Sequence, residues 1–95
     1  MIPIVSPDAQ TEIEGALLAS RDPARLQAAV TAALATIGAN PRIAARVGKS
    51  QVRRYIFTNF PYSIIYTATA TEVRVFAFPH SSRKPGYWKN RLPKT

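Results

Sequence analysis

The chain has 95 residues, with 13 Lys and Arg against 5 Asp and Glu, a formal net charge of +8 and no cysteine. That length allows one domain with a modest core that buries about 60–70% of the unfolded surface. The missing cysteines exclude disulfides and thiolate metal sites. The charge is unevenly placed. Residues 1–41 hold two basic against four acidic side chains, net −2, and residues 42–95 hold eleven against Glu72 alone, net +10. The second half is therefore suited to a polyanion or an acidic partner. The opening MIPIVSPDAQ has neither a basic flank nor a long apolar run, so no signal peptide is expected. No stretch approaches the ~18 apolar residues of a membrane helix. The expectation is a soluble, cytoplasmic protein.

In chain order, Ile2, Ile4 and Val5 suit a short first strand that Pro3 restricts to an edge or a strand start. Ser6 before Pro7 is an N-cap followed by the first-turn proline a helix tolerates best. Ala9, Ile13, Ala16 and Leu17 then recur at helical spacing, and Asp8 and Glu12 fall where the helix dipole favours acids. The spacing predicts a helix over 7–20. Asp22-Pro23 repeats the start signal, and Leu26, Val30, Ala33, Leu34 and Ile37 hold one face of a second helix. Gly38 suits a left-handed end and Asn40-Pro41 closes the segment. The short join at 20–22 makes the two helices an antiparallel hairpin.

Residues 41–50 read as a basic connector with room for one helical turn. Three β-branched and aromatic runs follow, at about 52–58, 62–68 and 72–78. With no room for crossover helices they form an antiparallel meander. The expected architecture is α+β, in the order β-α-α-β-β-β, with the helical hairpin on a small antiparallel sheet. One domain spans 1–95: the hairpin takes about 7–38, the sheet and a basic, aromatic tail about 52–91.

The chemistry-bearing residues lie in that second part. Arg53 and Arg54 are adjacent on a strand and point to opposite faces, so one is free to meet phosphate; a solvated edge that discourages aggregation would need the same residues. Pro79 lacks a backbone donor and should end the last strand just before His80, the only histidine. Ser81, Ser82, Arg83 and Lys84 form the exit loop, and Pro85-Gly86 turns the chain into Tyr87, Trp88, Lys89 and Arg91. Cations beside aromatic rings suit single-stranded nucleic acid, the cations holding phosphates and the rings stacking on bases. A histidine among them suits acid–base work near neutrality. The bland reading stays beside each: His80 as a hydrogen-bonded surface residue, Tyr87 and Trp88 as packing for the tail, with packing favoured for Trp88. There is no metal-ligand cluster, phosphate-cradling glycine loop or carboxylate pair, so no cofactor and no metal are expected.

FPYSIIY and VRVFAFPHSSRKPGYW, preceded by NPRIAARVGKSQVRRY and SPDAQTEIEGAL, resemble in order and spacing the RelE/ParE toxins of bacterial type II toxin–antitoxin systems. The nearest likeness is to the ParE-like, plasmid-stabilisation proteins. The resemblance spans nearly the whole chain and implies a helical hairpin on an antiparallel sheet, growth inhibition, and neutralisation by a cognate antitoxin with an acidic, amphipathic segment. For a RelE-like member, an endonuclease that cuts mRNA on the ribosome, it implies Arg54, His80, Arg83 and Tyr87 as catalytic residues. For a ParE-like member it implies no RNA chemistry and DNA gyrase as target. Arg53, Lys84, Trp88, Lys89 and Arg91 are then the expected contacts to target or nucleic acid. Pro79 and a basic cluster thinner than in the lysine-rich ribosomal cutters depart from the RelE-like pattern and favour the gyrase inhibitor. Whether the chain is an enzyme depends on that choice.

Overall fold

The computed structural model describes residues 1–92; positions 93–95, counted in the expected domain, lie outside the described residues. The elements run β1 (Ile4–Val5), α1 (Pro7–Ala19), α2 (Pro23–Ala39), β2 (Ala45–Arg46), β3 (Arg53–Ile56), β4 (Ser63–Ala68) and β5 (Val73–Ala77), followed by a 3-10 turn at Lys89–Arg91. They form an α+β fold whose five strands lie in the order β1-β5-β4-β3-β2.

Both helices begin as their capping residues dictate. The side chain of Ser6 accepts from the amide of Ala9, that of Asp22 accepts from the amide of Arg25, and a proline follows each cap. The second helix does not end at a left-handed Gly38. It runs on to Ala39 with Asn40 as its cap, and the positive-φ glycines are Gly48 and Gly86. Gly38 is small for another reason: a Cβ there would strike the backbone of Met1, which crosses over it.

The meander β3-β4-β5 is antiparallel, as expected. Two short strands extend it. β1 pairs in parallel with β5, Ile4 opposite Arg74 and Val5 opposite Val75, so the sheet is mixed at that edge. In the basic connector the structure forms β2, antiparallel to β3, in place of the helical turn allowed for there. Two residues carry too little periodicity to distinguish a strand from a turn.

Each face of the sheet has its own apolar cluster. On one, Ile64, Tyr66, Val73, Val75 and Phe78 meet Ala9, Ile13, Leu26, Val30 and Ile37 of the helices. On the other, Val52, Ile65 and Ala77 are covered by Trp88, with Val47, Tyr87 and Leu92 at the margin. Even-numbered residues of β4 therefore face the helices. On β5 the parity changes: Tyr66 is opposite Val75 but Ile65 is opposite Ala77, leaving Phe76 as an extra residue in a bulge. Val73 and Val75 face the helices before the bulge; Phe78 does so after it.

Candidate functional site

The bulge determines how the end of β5 is presented. Beyond it, Tyr62 and His80 form an isolated antiparallel bridge. The amide of Ser63 donates to the carbonyl of Pro79 at 3.1 Å and that of Ser81 to Pro61 at 2.7 Å. Pro79 thus removes one ladder donor without ending the pairing, because its carbonyl still accepts. β5 ends at Ala77, before the histidine as expected, and these two bonds hold His80 beside Tyr62 past the strand's end.

His80 stands edge-on to Tyr62, with ring centroids 5.1 Å apart. Its Nδ1 accepts from the backbone amide of Ser82 at 3.0 Å, and the Ser82 hydroxyl lies 2.8 Å from the same nitrogen. With Nδ1 accepting, the neutral ring carries its proton on Nε2, which makes that nitrogen a donor. A cleft of ≈ 380 Å³ brings His80 together with Arg54 and Arg83 beside Phe57, Phe60 and Tyr62. Arg54 reaches it from the sheet face away from the helices, since Arg54 is opposite Ile65. Its Nε is buried and has no hydrogen-bond partner among the described residues. Three groups of the expected set therefore converge.

Tyr87 is elsewhere. It lines an adjoining cavity of ≈ 280 Å³ with Glu12, His80 and Arg83. Two guanidinium groups lie over its ring, Arg83 at 4.2 Å and Arg91 at 5.0 Å from the centroid. Its hydroxyl donates to Glu12 Oε2 at 2.8 Å. Burial and that bond to a carboxylate push the phenol up to about 12, so it is a fixed donor and not a base near neutrality.

Glu12 is the residue that the sequence reading missed. Its Oε1 accepts from the Phe78 amide at 3.0 Å and from Arg91 Nη1 at 2.9 Å, and the same Nη1 donates to the Phe76 carbonyl at 3.1 Å. Phe76 and Phe78 are where β5 runs past the two-residue β1, so this ion pair takes the edge groups a longer strand would have taken. Burial alone would raise the carboxyl, but the bonds from Arg91, Phe78 and Tyr87 outweigh it and hold the group below its ordinary 4.5. No local signal marks Glu12, because its partners lie 66 to 79 positions away.

The remaining expected contacts divide. Lys84 and Lys89 are exposed. Trp88 is only 3% exposed within the second cluster, so it packs the tail and is not a stacking surface. Arg91 is committed to Glu12, with Asp8 at 3.8 Å, so its role is to hold the tail. Arg53 points to the other side of β3, away from the cleft, and donates to the carbonyl of Ala44 at 2.6 Å. Among the described residues no group of three His, Cys, Asp or Glu is placed to hold a metal. No helix described is long and apolar enough to cross a membrane.

No protein-family model matches the sequence, and no curated protein matches it. Among solved structures, a chain of the chromosomal ParDE TA system from P. aeruginosa is similar at 12% identity, with a TM-score of 0.58 over 83% of this chain and 96% of that one. Two N-capped helices on a bulged five-stranded sheet, matched to that structure over most of both chains, give this protein the RelE/ParE-like fold.

Proposed function

We propose that the chain is the toxin of a type II toxin–antitoxin pair, of the ParE-like kind that inhibits DNA gyrase by binding and is held inactive by a cognate antitoxin. The fold and its likeness to a ParDE chain support the toxin reading. The position of Tyr87 supports the choice of mechanism. The one tyrosine that a nuclease of this kind would use faces Glu12, with its hydroxyl donated and its ring covered by Arg83. His80 presents a proton and not a lone pair. The cleft can bind an anion but lacks a base to activate a ribose hydroxyl.

A supercoiling assay with purified protein tests this. The expected outcome is loss of gyrase activity as toxin is added; full activity at excess toxin overturns it. The antitoxin's acidic, amphipathic segment docks on the basic second half, and raising ionic strength weakens that contact.

One observation favours a second reading, the ribosome-dependent mRNA endonuclease: Arg54, His80 and Arg83 do share a cleft with aromatic rings. That reading requires His80→Ala and Arg83→Ala to abolish translation arrest in a protein that still folds. Unchanged arrest in both sinks it. Either target lies in the cytoplasm.

A further inference from the structure

At the opposite end of the sheet from His80, Arg46 of β2 and Arg53 of β3 are directly opposite each other across the strand pair. Cross-strand partners point to the same side, and like charges so placed repel. A fold selected only for stability would put a carboxylate at one of the two positions. Instead a third arginine joins them: Arg42, Arg46 and Arg53 line one cavity of ≈ 580 Å³ together with Asn40, Gln51 and Thr69. No carboxylate lines it. Glu72, in the turn that follows Thr69, is paired to Arg74, and none of the three arginines has a salt-bridge partner among the described residues. The bond from Arg53 Nη1 to the Ala44 carbonyl, 2.6 Å, fixes one guanidinium and leaves its other donors for a ligand.

We propose that this cavity is an anion site for an oligophosphate group, separate from the His80 cleft and independent of the gyrase reading. Guanidinium forks match phosphate oxygens two by two, and three of them around a concavity suit a compact anion of about three charges. The volume lies within the roughly 300–1,000 Å³ of small-ligand sites. No aromatic ring lines the cavity, so nothing there would stack on a base. The phosphate chain itself is what is recognised.

The experiment is calorimetric titration of the purified protein with inorganic tripolyphosphate, with poly-glutamate and a short oligothymidylate as comparison ligands. Saturable one-to-one binding is expected, with adenosine triphosphate binding about as tightly as tripolyphosphate. Arg46→Gln and Arg53→Gln should each weaken it at least tenfold, and Arg83→Gln, on the other basic surface, should leave it within twofold. Arg46 is exposed on a two-residue edge strand, so its loss leaves the fold intact and the test readable even if Arg53→Gln unfolds. Equal weakening by Arg83→Gln would reduce the site to general electrostatics and overturn the proposal. So would binding of poly-glutamate or the oligothymidylate in place of tripolyphosphate.

Discussion

Against one face of the sheet two helices lay Ile13, Leu26, Val30 and Ile37 on Ile64, Tyr66, Val73 and Val75; against the other, a short tail lays Trp88 on Val52, Ile65 and Ala77. The first layer is almost purely apolar and its strength scales with the area removed from water. The second buries one large ring and is tied down by a polar node of Glu12, Tyr87 and Arg91 that reaches around the sheet edge to α1. From acid to neutral pH the first layer should therefore be indifferent, its buried Tyr66 phenol being raised above the ordinary 10.0 by burial, and the second should not. The cleft with His80 and Arg83 opens where the chain leaves β5 for that tail.

The largest effect expected is from Trp88→Ala. Removing the ring that closes the second cluster should cost about 3–5 kcal/mol, read as a fall in the urea midpoint. A loss under about 1 kcal/mol would mean that the tail does not contribute a core of its own, given that core aromatics truncated to alanine cost several times that.

Next is Glu12→Gln, which keeps an acceptor for the Phe78 amide but removes the charge facing Arg91. Hydrogen bonds to charged groups contribute about 1.5–3 kcal/mol, and a loss of about 2 is expected. The sign with pH follows from the lowered carboxyl. Because the folded protein holds Glu12 below its ordinary 4.5, the stabilisation is complete above that value and disappears as pH falls through the folded one. An acid-unfolding curve of Glu12→Gln should lack that limb; the same limb in both proteins would assign it to other carboxylates.

The smallest effect is alkaline. The folded Tyr87 phenol titrates at about 12 against an ordinary 10.0. Its contribution is therefore whole below pH 10 and lost as pH rises towards 12. Tyr87→Phe should cost about 1 kcal/mol at neutral pH and flatten that decline, measured by thermal melts across the range. A decline just as steep in the variant would place the titrating group elsewhere.

The same contrast explains what could be read in the chain beforehand. The hairpin was legible because Ser6-Pro7 and Asp22-Pro23 are local signals, and Leu26, Val30, Ala33 and Ile37 repeat at helical period. The three meander strands were legible from composition. The second face was not, since it depends on contacts between positions far apart. Glu12 has the sequence look of a dipole-favoured helix acid, and only the folded chain brings Phe78, Tyr87 and Arg91 to it. For the site the division runs the same way. Arg54 lies within β3, His80 and Arg83 lie past the end of β5, and only the folded sheet brings the three side chains around one cleft. Trp88 and Arg91 have the residue types of a nucleic-acid surface but are spent on holding the tail.

The bulge at Phe76 has a consequence for how this fold tolerates changes of length. In a regular strand the side a residue faces depends only on whether its position is odd or even, and the extra residue reverses that rule for everything downstream. A deletion of one residue inside β5 would restore simple alternation, turn Phe78 away from the helices and carry His80 to the opposite side of the sheet. Changes in the number of residues after Ser82 would do neither. Insertions and deletions should accordingly accumulate in the exit loop and be absent between Val73 and His80. Distant relatives of this chain are then best aligned by counting outward from the bulge and not inward from either end.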